Sequence, residues 1–225
     1  MNKKILKVLA VLILIFLFGH LNVHAEKKVN LGFKAGYNFS SHWSAEEKIE
    51  DSSVVIRSKF GILAGAVANF RISDFFRLQP EILYFQKGSI QDVTVPDVPI
   101  GTISVVYDLH YLEIPIILKS YLRKGKGRVQ PVLSVGPFIS FLLKSTYSYS
   151  NIYIGNMEYD IDNLKKTDMG FHSGLGIEFH DEKIIFGIHL RSSMGFVNLD
   201  LPTGPNAPTV ALRNLSYVFN IELLY

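Results

Sequence analysis

The side chains in this sequence that are able to do acid–base or ligand chemistry share one pattern. Lys34, Lys59, Glu81, Glu113, Lys119, Asp168, His172, Glu178, His189, Arg191 and Glu222 each stand out of phase with residues that are apolar at every second position. Successive residues of an extended strand point to opposite faces, so these groups occupy the polar faces of strands. His172, His189, Asp168 and Glu178 admit a metal site or a buried acid–base pair, but nothing in their spacing has the helical or loop form that gathers ligands. His172 and Ser173 are neighbours, and neighbours in a strand diverge, which excludes a base–nucleophile pair. The glycines stand in no strand–loop–helix context and form no phosphate cradle. What remains is a set of both signs on one face, expected to pair as an interior polar network, with a selectivity lining as its functional alternative. No catalytic residue, metal ligand or cofactor is assigned.

The elements that must position these groups are eight segments of period two, which marks strands and not helices. Val29–Ser40 sets Val29, Leu31, Phe33, Ala35, Tyr37 and Phe39 against Asn30, Gly32, Lys34, Gly36, Asn38 and Ser40. Lys59–Arg71 follows, then Phe76–Lys87, where Leu78, Pro80, Ile82 and Tyr84 oppose Arg77, Gln79, Glu81 and Lys87. The fourth strand ends with Leu112, Ile114, Ile116 and Leu118 against Glu113 and Lys119. Pro115 within it requires a bulge or a locally unpaired position, because proline donates no hydrogen bond. Val129–Leu143, Thr167–His180 and Ile184–Gly195 come next. The last segment, Leu215–Tyr225, carries an unbroken face of Leu215, Tyr217, Phe219, Ile221, Leu223 and Tyr225. Transmembrane barrels close on such a strand, apolar face to lipid and last aromatic at the interface. Tyr217, Phe219, Ile221, Leu223 and Tyr225 are therefore the expected assembly signal.

The connections alternate in length. Those at Ile72–Phe75, Arg123–Arg128 and Asp181–Glu182 are short; Ser41–Arg57, Gly88–Ser104, Ser145–Lys166 and the proline-bearing Leu201–Thr209 are long. An even strand count with short turns at one end and long loops at the other implies an all-β fold, an eight-stranded antiparallel transmembrane β-barrel. Both termini then lie in the periplasm and the loops outside the cell. A soluble eight-stranded barrel with its apolar face inward shares the alternation. Loop asymmetry, the aromatic closing strand and the charged second face favour the membrane form. Eight strands enclose little more than side chains, so the polar face becomes a filled interior that holds strand register.

At the amino terminus, Lys3, Lys4 and Lys7 precede the apolar run Val8–Phe18, and Val23-His24-Ala25 offers a cleavage site. This is the layout of a secretory signal peptide over residues 1–25, leaving a barrel domain over 26–225. The run is too short for a good transmembrane helix, and no later run approaches that length. Without the three lysines the chain has 20 basic and 20 acidic side chains, so its partners do not include nucleic acid. There is no cysteine, hence no disulfide and no lipid-modified cysteine.

Several stretches carry a resemblance. Leu31–Ser40 (LGFKAGYNFS), Leu78–Tyr84 (LQPEILY) with Lys87-Gly88 after it, and Tyr111–Pro115 (YLEIP) with Lys119 following resemble the PorT-like outer-membrane β-barrel family, common in Bacteroidota. Gly136-Pro137, Asp168-Met169-Gly170 and Gly174-Leu175-Gly176 continue the match in order. The resemblance spans the mature chain and implies an outer-membrane barrel without implying a substrate. The function it leaves open is a non-enzymatic structural or interaction protein, with a small porin-like channel and a secretion-system accessory as alternatives. Expected partners are outer-membrane lipid, the barrel-assembly machinery, and an extracellular or envelope protein met through the loops. Tyr147, Tyr149, Tyr153 and Tyr159, set among Ser and Asn, have the composition of a recognition surface or of an interfacial aromatic belt.

Overall fold

The computed structural model describes residues 29–43, 53–94, 102–122, 127–151, 155–161, 164–202, 209–210 and 212–225. The expected signal segment and Tyr153 lie outside them. The described elements are β1 (Val29–Trp43), β2 (Ser53–Arg71), β3 (Phe76–Thr94), β4 (Thr102–Tyr121), β5 (Val129–Asn151), β6 (Gly155–Asp160), β7 (Thr167–His180), β8 (Ile185–Gly195), β9 (Leu201–Pro202), β10 (Thr209–Val210) and β11 (Arg213–Leu224). Eight of them close an antiparallel ring in the order β1, β2, β3, β4, β5, β7, β8, β11. The seam between β1 and β11 runs from Gly32↔Leu224 to Trp43↔Arg213. β6 pairs with the far half of β5, and β9 with β10 form a separate two-residue ribbon.

The period of two decides what each wall faces. Phe33 is 62 % exposed and Leu175 58 %, whereas Lys34 and Glu81 are 1 % exposed. The apolar faces turn outward and the charged faces inward, the reverse of a soluble barrel, so that alternative is overturned. No helix of the described residues is long and apolar enough to cross a membrane; the apolar band belongs to the strands.

Two glycines make the seam possible. A Cβ on Gly32 would lie 1.9 Å from the Leu223 carbonyl oxygen, and one on Gly36 would lie 2.2 Å from that of Phe219. Neither approach is sterically permitted. Gly36→Val is therefore expected to abolish the compact band of the unboiled barrel on a detergent gel. Ala35→Val, one step along and facing outward, is expected to preserve it.

The strands run further than the alternation alone suggests. Gly88–Ser104 and Ser145–Lys166, expected as connections, are largely strand: β3 continues to Thr94, β4 begins at Thr102, and β5 continues to Asn151 before β6 returns. Gly88 does not end β3, because its backbone (φ 150°) passes where a Cβ would stand 2.0 Å from the Tyr107 carbonyl oxygen. Pro115 takes the locally unpaired option toward β3 and keeps Phe138 as its partner on β5. The β3–β4 ladder lapses after Pro80↔Ile116 and resumes in the same register at Leu83↔Glu113. Register shifts lie elsewhere: the β2–β3 ladder slips between Ser58↔Ser89 and Leu63↔Phe85, and β5 carries a bulge at Leu143, since Tyr111 pairs with Leu142 and His110 with Lys144. A bulge inverts the faces beyond it, and here it turns Tyr147 and Tyr149 to the same side as Tyr107 and Val105.

Candidate functional site

The barrel interior holds the chemistry, arranged in tiers from the turn end to the loop end. Nearest the turns, Lys119 Nζ donates to Glu178 at 2.8 Å and to Glu222 at 2.5 Å. The Tyr121 hydroxyl donates to Glu178 at 2.6 Å, and Gln79 Nε2 bridges Glu222 at 2.7 Å and Glu81 at 2.9 Å. One tier higher, Arg191 grips both oxygens of Glu81, at 2.9 and 3.1 Å, and Lys34 joins Glu81 to Glu222. Higher again, Glu113 takes Lys87 at 2.6 Å, Ser140 at 2.9 Å and His172 at 2.8 Å. Lys87 Nζ also stands over the rings of Phe85 and Phe138, each at 4.6 Å. Asp168 accepts from Asn214 at 2.9 Å at the top of this column.

Apolar side chains close the column at both ends. At the turn end Val67, Ile185 and Leu224 pack together. At the loop end Val105, Tyr107, Leu109 and Tyr111 of β4 pack with Leu164, Leu199, Leu201 and Leu212. Among the described residues, buried side chains occupy each tier between these two clusters, as eight strands allow. Buried charges are tolerable there because each group in the three lower tiers meets an opposite charge and further hydrogen bonds.

Ten of the eleven residues read as interior from their parity are buried; Lys59 departs from the set. Its side chain is 14 % exposed and pairs with Asp108 at 3.0 Å. The reason is local: the β2–β3 register shifts between Ser58 and Leu63, exchanging the faces of β2, and the β1–β2 ladder ends at Ser40↔Lys59, so parity fails at Lys59 where the wall begins to open. Lys87 belongs to the network although it was not among the eleven. Its signal was present, since it shares the phase of Glu81 along β3. Gln79, Tyr121, Ser140 and Asn214 join through hydrogen bonds, and charge alone gives no signal for them.

The arrangement offers little reaction chemistry. His172 is buried while Ser173 is exposed on the outer wall. His172 and His189 serve different tiers, with His189 Nε2 3.8 Å from Glu178. Ligand atoms of Glu178, His189 and Glu222 lie within 4.8 Å of one another, a geometry compatible with a metal ion. The Lys119 ammonium already sits against both carboxylates, so that cage holds a cation of its own.

This architecture has known counterparts. Residues 18–201 match the family model described as the outer membrane protein beta-barrel domain. No curated protein is significantly similar to the chain in sequence. Among solved structures the chain is similar to the outer membrane protein OprG from Pseudomonas aeruginosa, at 12 % identity and a TM-score of 0.48, over 91 % of this chain and 99 % of that one. It is also similar to Neisserial surface protein A, at 13 % identity and a TM-score of 0.44, over 88 % of this chain and 100 % of that one. The Escherichia coli outer membrane protein W is similar at 10 % identity and a TM-score of 0.41, over 89 % and 100 % of the two chains. With its family match covering well over half of its length, the chain belongs to the outer membrane protein β-barrel domain family.

Proposed function

We propose that this is a non-enzymatic structural or interaction protein, held in the outer membrane by its barrel and acting through the surface its long loops carry. The filled, twice-capped interior carries this reading, because it reserves the barrel for anchorage and leaves the loop end to meet partners. β2–β5 extend beyond the ring on that side: Ser53–Ser58 pairs with β3 past the point where β1 leaves, and β6 adds to the same sheet. The apolar cluster around Tyr107 supports this extension from behind. Tyr147 and Tyr159 stack at 5.4 Å with Tyr149 edge-on to Tyr159, and tyrosines supply contact area at low entropic cost.

In this reading the partners are outer-membrane lipid around the wall, the barrel-assembly machinery at the closing strand, and an extracellular or envelope protein at the extension. Neither nucleic acid nor cofactor takes part, and both termini are periplasmic. Kinship with the PorT-like barrels of Bacteroidota rests on the Pro80-Glu81 and Glu113-Ile114-Pro115 motifs and brings no substrate with it. Surface labelling of intact cells tests the orientation. Epitopes placed within Glu46–Asp51, Val93–Pro99 or Asn151–Asp160 are expected to be reachable from outside, and those at Ser73, Gly125 or Asp181 only after permeabilisation. The reverse pattern would contradict the proposal.

A further inference from the structure

Ser173 and Ser192 interrupt the lipid-facing wall. Along β7 the outward series runs Phe171, Ser173, Leu175, and along β8 it runs Leu190, Ser192, Met194. The two interruptions coincide, because Ser173 pairs with Ser192 across the ladder. Their short side chains leave an open hollow of about 550 Å³ in the wall, lined by Leu133, Leu175 and Leu190 with Tyr217 and Phe39 at one end. The register explains the shape. One row across the strands reads Phe39, Tyr217, Ser192, Ser173, and the next row toward the turns reads Tyr37, Phe219, Leu190, Leu175.

Beside the hollow the same wall rises into an aromatic ridge. Tyr37 stacks on Phe60 at 5.8 Å and on Phe219 at 5.3 Å, and Phe39 meets Phe60 edge-on at 5.9 Å. Tyr217 ends this ridge next to Ser192 and is 62 % exposed. The two serine side chains face outward, and neither hydroxyl has a hydrogen-bond partner among the described residues. A hydroxyl without a partner in hydrocarbon is costly. An acyl chain would fill the hollow yet leave both hydroxyls unbonded. A tyrosine ring would fill it and bring a hydroxyl of its own.

We propose that this wall is the contact face of a dimer, in which Tyr217 of each copy enters the hollow of the other and its hydroxyl bonds to the serine pair. Both copies insert in the membrane the same way round, so the twofold axis that relates them runs along the membrane normal. Ridge and hollow are neighbours on one wall. An axis between Tyr217 and Ser192 therefore sets ridge against hollow twice, the self-complementarity that a twofold contact requires. Close approach over small residues, with hydroxyls bonded across, is how spanning segments associate where lipid is as apolar as the side chains. The contact stands independently of the function proposed for the loop-side extension.

The test is sedimentation equilibrium of the full barrel in density-matched detergent. The unmutated chain is expected to approach twice the mass of one chain as the ratio of protein to detergent rises. Ser173→Phe fills the hollow with a side chain that lipid accepts, so it is expected to assemble normally and stay a monomer. Ser173→Ala with Ser192→Ala keeps the hollow and removes both hydroxyls. It is expected to raise the dissociation constant of the dimer about threefold or more, the usual worth of a hydrogen bond between spanning segments. A monomer at every ratio for the unmutated chain would overturn the contact and leave the hollow to lipid. A dimer that survives Ser173→Phe would overturn it too, since that dimer uses another face, and an unmoved constant in the alanine pair would overturn the hydrogen-bonded form. Should Ser173→Phe not refold, cysteines decide, because the chain has none of its own. Under mild oxidation in outer membranes, Ser192→Cys, beside the axis, is expected to yield a disulfide-linked pair. Ile82→Cys, outward on β3 across the ring, is expected to yield none. The converse would overturn the proposal.

Discussion

Replacing Glu113 by alanine is expected to lower the unfolding free energy of the barrel by about 3–5 kcal/mol, the usual cost of stripping a buried charge of its partner. The variant leaves the Lys87 ammonium buried, with only the faces of Phe85, Phe138 and Tyr111 beside it. It also removes the acceptor of Ser140 and His172. Attraction between a cation and an aromatic face reaches about 2 kcal/mol when desolvated, too little to replace a carboxylate at 2.6 Å. Adding Lys87→Met to the same chain removes the stranded charge, so the double variant should be more stable than Glu113→Ala alone. Denaturant unfolding in detergent measures both. A single variant within 1 kcal/mol of the parent, or a double variant worse than the single, would show that this tier does not hold the barrel together.

The second large effect belongs to the closing strand. Phe219 faces outward and stacks on Tyr37 of β1 at 5.3 Å, across the seam that closes the ring. A lysine there places a cation on the lipid face at a cost of about 2–4 kcal/mol near mid-membrane. Phe219→Lys is therefore expected to abolish outer-membrane assembly, read as loss of the heat-modifiable species from the membrane fraction. Asn220 is the internal control: it points inward, and neither atom of its amide makes a hydrogen bond among the described residues. Asn220→Ser should assemble normally. Removing Tyr225 should impair assembly too, because its backbone exchanges two hydrogen bonds with Leu31, at 2.9 and 3.0 Å. Equal tolerance of Phe219→Lys and Asn220→Ser would mean that the two faces of β11 are reversed.

The face of each strand was legible because a period of two survives whatever the surroundings. Lys34, Glu81, Glu113, Glu178, Arg191 and Glu222 could be placed inside from parity alone, and Phe33, Leu175 and Tyr217 outside. Which cation meets which acid was not legible. Lys119 and Lys34 both reach Glu222 from other strands, and that depends on the stagger of the closed ring, which no local pattern encodes. Strand length was misread where turn-forming residues occur in extended chain. Gly88 suggested an end to β3, yet its missing Cβ is what lets β3 run on beside Tyr107. The Leu143 bulge was equally hidden, since an inserted residue changes nothing in composition while inverting every face beyond it. Tyr147 and Tyr149 therefore read as loop residues, although they belong to a strand and face the apolar cluster.

The central claim is that this barrel is a solid anchor and not a pore. Its polar column is occupied by paired side chains, and apolar clusters close both ends. The most direct measurement is conductance of the purified, refolded protein in a planar bilayer. The account predicts a silent membrane under applied voltage, with Glu113→Ala altering heat stability far more than permeability. Steady, ion-selective openings in the unmutated protein would contradict it, because they require a continuous column of water where the structure places Lys119, Glu222, Lys34, Glu81 and Arg191 against one another.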